Sequence, residues 1–501
     1  MSVAWPGTTP GRRLAAVRGM FAEWFGLDLR SLAVYRIGLG LLLLADLFGR
    51  AGDLTAHYTD QGVLPRSAIT GGHYISLHLL DGTADFQGAL FVLAGLCALA
   101  LLVGWWTRLA TGASWFLLMS LHARNPMVLH GGDNLLRVLL FWGLFLPLGA
   151  RWSLDAWRKG GEPAGGREVS AGSAALILQI CFVYWFSAAL KTDPAWRSEG
   201  TAVYYALSLD QFATPLGRYL LGFPELLRWL TFATLGLEAV GPALLFVPFY
   251  TARFRLAVVG SFLLFHLVGL RLCMELGPFP WVCAVAWLAL LPGLFWDRVA
   301  GLVRRPRWLT AAAPGPAQPA SLLLNVLAAS MLVYVFLWNL RTTDRERWSW
   351  VLPQRANFIA STFGIDQSWD MFAPCPLKDA GWHVVQGTLQ DGSDVDLLRD
   401  GAPVCWDQPD LVSATYKNER WRKYLMNLWG KDNIPHRALY ARYLLREWNA
   451  EHKGKSAMES VELYFMRKRT QPDCPVTQAE KVLLCAERAD ALEQLAAGDV
   501  R

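Results

Sequence analysis

The stretch Phe186-Ser-Ala-Ala-Leu190-Lys191-Thr-Asp193-Pro194-Ala-Trp196 decides how the chain is read, because an apolar run long enough to enter a bilayer ends there on a lysine, an aspartate and a tryptophan. Ionisable groups are costly at such a depth, which makes Lys191 and Asp193 functional candidates at once. Upstream the run reaches back to residue 171. Similar runs recur at 31–48, 87–104, 109–121, 135–150, 229–249, 256–273, 279–296 and 320–340. Each is near the ~20 residues that carry a helix across ~30 Å of hydrocarbon. The expectation is a polytopic α-helical membrane protein with about nine transmembrane helices. Composition agrees: 53% of residues are apolar, 18% are charged and the mean hydropathy is +0.26, against ~25% charged residues in soluble domains.

Short loops rich in Lys and Arg stay on the cytoplasmic side. Arg12, Arg13 and Arg18 precede the first run; Arg151, Arg158, Lys159 and Arg167 follow the fourth; Arg253 and Arg255 follow the sixth; and Arg298, Arg304, Arg305 and Arg307 follow the eighth. With nine spans all of these fall inside, together with Arg108. The opposite loops hold His57, Tyr58, Asp60, Arg124, Asn125, Asp133, Lys191, Asp193 and Trp196, so the expected site opens outward, to a periplasm or its equivalent. No cleavable leader is read at the N-terminus, and the first span is expected to act as an uncleaved anchor. Residues 12–30 alternate arginine with large apolar residues, which suits either an amphipathic arm on the inner surface or a solvated one.

Beyond about Arg341 charge becomes frequent and long apolar runs stop, marking residues 341–501 as a C-terminal soluble α+β domain, extracytoplasmic by the loop count. Residues 381–398 read as two strands joined at Asp391-Gly392, and 461–469 as a third. Residues 413–452 are helical in spacing, and 476–497 read as a further helix. Nucleic acid is not an expected partner, because the basic face of this domain lies outside the cell. Cys375, Cys405, Cys474 and Cys485 would form up to two disulfides in an oxidising compartment; their spacing fits no zinc pattern. Nucleotide, hydrolase and zinc-protease signatures are absent from the sequence.

Several motifs in order resemble one family. They are Tyr35-Arg36-Ile-Gly38-Leu-Gly40; His57-Tyr58-Thr-Asp60-Gln-Gly62-Val-Leu-Pro65; Arg124-Asn125-Pro126 with Gly131-Gly132-Asp133-Asn134-Leu-Leu-Arg137; and Lys191-Thr-Asp193-Pro-Ala-Trp196. Glu238, Pro242, Phe265-His266, Phe279-Pro280 and Trp369-Asp370-Met371-Phe372-Ala373-Pro374 complete the set. The chain resembles the horizontally transferred transmembrane (HTTM) domain family, which includes the vitamin K-dependent gamma-carboxylases, and looks like a bacterial-type member. The resemblance implies an oxygen-driven reaction in which a basic lysine deprotonates reduced vitamin K or menaquinol. The strong base so produced removes a γ-proton from glutamate in a protein or peptide, and carbon dioxide adds.

Lys191 occupies the place of the carboxylase lysine and His266 that of a carboxylase histidine. A lysine held among Trp185, Phe186 and Trp196 is partly desolvated, which disfavours its charged form and suits a base. The plainer alternative is a lysine that snorkels to the interface and pairs with Asp193. His266 would bind a quinol hydroxyl or stabilise an anion, or else bond a neighbouring helix through Glu238. His57, Arg124 and Asp133, at outer helix ends, would close a polar pocket over the same site, or simply fix loops. The chain departs from the carboxylases at Leu190, where they carry a second lysine, at Gly132-Asp133-Asn134, where they carry a histidine, and in its smaller outer portion. A quinol- or lipid-modifying enzyme of different outcome, and a non-catalytic lipid-binding or assembly protein, are the other readings.

Overall fold

The chain is seen in a computed structural model that describes residues 19–69, 75–160, 166–303, 321–470 and 478–490. Its membrane part consists of helices α1 (Leu29–Ala51), α2 (Ala84–Val103), α3 (Thr107–Arg124), α4 (Gly131–Gly143), α5 (Ala171–Leu190), α6 (Pro224–Val240), α7 (Thr251–Leu264), α8 (Phe279–Leu288), α9 (Gly293–Leu302) and α10 (Leu322–Thr343). Each apolar run read from the sequence contains one of these helices, although residues 144–150 are turns, and length and composition support fewer than nine crossings. Among the described residues, six helices are long and apolar enough to cross a membrane, or seven if α8 and α9, bent by 88° at Ala289–Pro292, are one span. The third and fourth runs do not meet that length and hydropathy for physical reasons. Helix α3 carries Arg108, His122 and Arg124 within its 18 residues. Helix α4 has 13 residues, about 20 Å of rise, and is buried in the bundle core through Leu135, Leu139 and Trp142.

Local chemistry sets the ends that matter. Helix α5 starts at Ser170, whose hydroxyl accepts from Ser173 N while Ser173 Oγ accepts from Ser170 N, satisfying two otherwise orphaned donors. It stops at Lys191, and Asp193 then caps a short helix, Pro194–Arg197, by accepting from Ala195 N at 2.9 Å. Helix α6 tightens to a 3-10 turn over Gly241–Phe246, where Pro242 has no N–H to give the ladder. Helix α7 widens to a π-turn at Phe265–Leu270 and closes with Arg271–Cys273. Such single-turn insertions often mark functional sites.

The C-terminal part is an antiparallel five-stranded sheet of order β3-β2-β1-β4-β5, with β1 Asp379–Leu389, β2 Asp394–Asp396, β3 Ala402–Pro403, β4 Met458–Arg469 and β5 Glu480–Arg488. Gly392, with φ of +83°, takes the β1–β2 turn, a conformation glycine adopts without strain. Helices α11 (Glu419–Trp429) and α12 (Ile434–Glu451) cover the sheet. The helix read over 476–497 is corrected to β5: Val482, Leu483 and Cys485 pair along β4, and tertiary pairing overrides a short ambiguous pattern. Residues 476–477 and 491–497 lie outside the described residues, as do Arg12, Arg13, Arg18, Arg304, Arg305, Arg307 and Cys474. Cys375, Cys405 and Cys485 are free thiols, so the expected outer disulfides are not formed among the described cysteines.

The two ends of the bundle differ. At one, Arg255 donates to the carbonyls of Trp24 and Gly26 at 2.5 and 2.8 Å, closing a helix at residues 19–25 onto α7. At the other sits the C-terminal domain. Val63, Leu64, Met127 and Val128 of the bundle loops share one apolar core with Tyr424, Leu428, Tyr440 and Val461 of the domain.

Candidate functional site

Helix α5 lines up Tyr184, Ser187 and Lys191, spaced so that all three fall on one face. Lys191 is 3% exposed. Its ammonium donates to Ser187 Oγ at 2.9 Å, forms a short ion pair with Glu238 Oε2 of α6, and stands 4.7 Å from the centre of the Trp196 ring. The interfacial pairing with Asp193 is thereby overturned, since that carboxylate is turned to the next helix as its cap. The expected apolar cage is also only partly formed. Trp185 donates instead to Ala239 O, and Phe186 packs toward Phe336.

The pair forms the polar end of a cavity of about 180 Å³, far above the roughly 10–15 Å³ that admits a water. Its other walls are apolar, among them Phe265, Leu270, Phe279, Trp369, Met371 and Phe372. Trp196 Nε1 donates to Phe372 O at 2.9 Å and Asp193 N to Pro374 O at 3.3 Å. These bonds hold the segment 369–374 as a roof on the side of the C-terminal domain. Trp369 is fixed in turn through Gln367, which bonds Gln179 on α5 at 2.7 Å.

His266 lies on the same cavity, 1% exposed, aimed inward from the π-turn. Its Nε2 is 2.7 Å from Tyr184 Oη, which also accepts from Trp287 Nε1 at 2.7 Å. Trp287 can only donate, so Tyr184 Oη keeps one proton and one lone pair for its other neighbours, His266 among them. The imidazole Nδ1 is buried and has no partner among the described residues. The expected bond to Glu238 is not made. Tyr184 and Lys191 are seven residues apart on one helix, which places the two polar ends about 10 Å apart.

His57, Arg124 and Asp133 are not part of this cavity. Asp133 accepts from Arg50 at 2.6 Å and from Arg420 of α11 at 2.6 and 2.9 Å. Arg420 also binds Asp46 at 2.6 Å, and Arg50 reaches the other oxygen of Asp46 at 2.8 Å. Two arginines and two aspartates thus form a buried clamp between bundle and domain, flanked by Glu419 at 3.4 Å from Arg420 and by His130 at 3.5 Å from Asp133. Arg124 donates to Leu64 O at 2.7 Å and fixes a loop. His57 rests on the Trp421 ring at 4.5 Å, beside Asp53, which accepts from Lys417 and Asn418 at 2.5 Å each. Helix-end position drew these three together in the sequence reading, but the polar residues of this end divide between two clusters.

The docked face should respond to acid. Burial works against the Asp53 carboxylate, but bonds from Lys417, Trp421 and Asn418 outweigh it and hold its pKa below the usual range. Burial pushes His57 down to about 3. Asp53 adds stability that is complete above its unfolded pKa of ~3.9 and fades as pH falls through its lowered value. His57 must stay neutral while docked, so protonation below ~6.5 favours release. Energy transfer between labels on the two parts should weaken steadily below about pH 6.5 and stay flat from about pH 7 to 9; a flat response down to about pH 4 counts against this account.

The family model of the HTTM domain matches residues 26–293. The chain belongs to the HTTM domain family. The matched region holds Lys191, Glu238 and His266, while the roof and the clamp's Arg420 lie beyond it. No curated protein and no solved structure matches the chain. Around its HTTM core, residues the sequence reading passed over are Tyr184, Ser187, Gln179, Gln367 and Arg420. The spacing back from Lys191 marks Ser187 and Tyr184; nothing local marks Arg420.

Proposed function

We propose that this HTTM protein is a quinol-dependent membrane enzyme of the carboxylase-like kind, with the Lys191–Glu238 pair as its proton acceptor. The observation that carries the reading is this buried pair at the end of an apolar cavity that His266 also lines. HTTM domains are associated with vitamin K-dependent carboxylase-like proteins. The residues suit a quinol: aromatic walls for the ring, the pair for one hydroxyl and His266 for the other oxygen. Reduced vitamin K or menaquinol, with oxygen and carbon dioxide, would supply the strong base that deprotonates glutamate for carboxylation.

The chain's own contribution is to move a proton and hold a charge. Either the Glu238 carboxylate takes the hydroxyl proton directly, or Lys191 first passes its proton to Glu238 and then takes it as a free amine. Both routes end in a Lys191 ammonium, a Glu238 carboxylic acid and one negative charge on the ligand. That charge faces the ammonium across a water-poor wall, where the attraction is strong. The roof excludes water, and the C-terminal domain on the same end would present the protein or peptide acceptor. On the pattern of basic loops, that end would face outside the cytoplasm of a cell membrane.

The direct test is oxygen-dependent consumption of menaquinol by the purified protein in lipid nanodiscs. Turnover in wild type supports the reading. Its absence in folded protein, with lipid still bound in the cavity, moves the assignment to lipid modification or lipid binding. His266→Phe is expected to keep the fold and lower kcat by about 10² to 10³, as loss of one charge-stabilising group does, with little change in KM. An unchanged kcat would remove His266 from the chemistry.

A further inference from the structure

We infer that the cavity opens sideways into the bilayer between Leu230 and Gly269, and that its ligand is a long-chain amphiphile whose acidic hydroxyl meets Lys191 while its tail stays in lipid. The nature of the head rests on the proposed function; the sideways access does not.

The burial of the lining divides by direction. Lys191, Trp196, His266 and Trp369 are all at most 3% exposed, whereas Leu230 is 40% exposed and Gly269 is also exposed. Both exposed residues sit on crossing helices, Pro224–Phe246 and Thr251–Cys273. Their neighbours Trp229, Val268 and Leu272 are exposed by 69%, 47% and 50%, as side chains that face hydrocarbon are. The end toward the C-terminal domain is roofed by Trp369, Met371 and Phe372, so the open direction is the lipid one.

The rim is built for an apolar chain. Leu230, Thr234 and Glu238 follow one another at four-residue spacing along α6, leading from lipid to the buried pair. Gly269 leaves the facing side open: a Cβ there would meet nothing closer than 3.9 Å. Thr234 is the sole polar side chain between the rim and Glu238 along this row, which suits a tail and disfavours a charged solute.

Gly269→Trp should fill this gap. In nanodiscs it is expected to reduce turnover of an isoprenoid-tailed menaquinol by tenfold or more while sparing menadiol, which has no tail. Val268→Trp, on the outer face of the same turn, should spare both. Equal loss for the two quinols, or loss for neither in folded Gly269→Trp protein, would overturn the portal. A second measurement stands apart from turnover: a phenol with a diazirine in its alkyl tail should crosslink wild type at residues 230–234 and 265–272. Crosslinks there with no quinol turnover sink the quinol reading alone; crosslinks spread evenly over lipid-facing helices sink the portal alone.

Discussion

Lys191→Met is expected to lower quinol turnover by about 10² to 10⁴, the usual contribution of a positioned proton acceptor. The same change leaves Glu238 buried without its cation, which costs roughly 3–5 kcal/mol when one member of a buried pair is removed. Loss of activity alone would therefore not separate chemistry from folding. The double variant Lys191→Met/Glu238→Gln does so, because it leaves no charge in the cavity. If the pair only holds α5 to α6, the double variant regains stability and activity together. If the pair accepts the proton, melting returns toward wild type while turnover stays lost. Full turnover in either Lys191 variant would end the proposal.

Arg420→Ala should destabilise the protein about as much, at the docked face rather than in the cavity. It strips a fork of donors from Asp133 and Asp46, leaving two buried carboxylates to share Arg50, and about 3–5 kcal/mol is expected to be lost. The loss should fall on docking: α11 is held through Arg420, Asn418 and Asn427, so limited proteolysis should release residues beyond the last membrane helix before the bundle melts. Arg420→Lys should rescue only part, since an ammonium cannot span two carboxylates as the planar guanidinium does. Unchanged protease resistance in Arg420→Ala would show that the apolar seam around Leu428 and Tyr440 suffices.

Hydropathy marked where helices lie but not which of them cross. Helices α3 and α4 resemble spans in a sliding view, yet their polar or short stretches are accommodated by burial inside the bundle, which no local pattern reports. The residues of the cavity were legible as individuals: Lys191, Glu238, His266 and Trp196 all meet there. Their pairing was not. Asp193 is two residues from Lys191, but the chain leaves the helix at Lys191 and commits that carboxylate to the next cap, so the partner comes from a point 47 residues away. His57, Arg124 and Asp133 were misplaced for a related reason, since sequence gives depth at an end of the bundle but not the position around its circumference.

The clamp also bears on the order in which the protein is made. Asp133 and Arg420 are separated by 287 residues, so the membrane helices emerge and pack before the second arginine exists. During that interval Arg50 is the one arginine facing Asp46 and Asp133, at the end of the bundle that the domain will cover. Synthesis of α11 supplies the other. A chain halted before residue 420 therefore lacks one of the two arginines that hold Asp46 and Asp133.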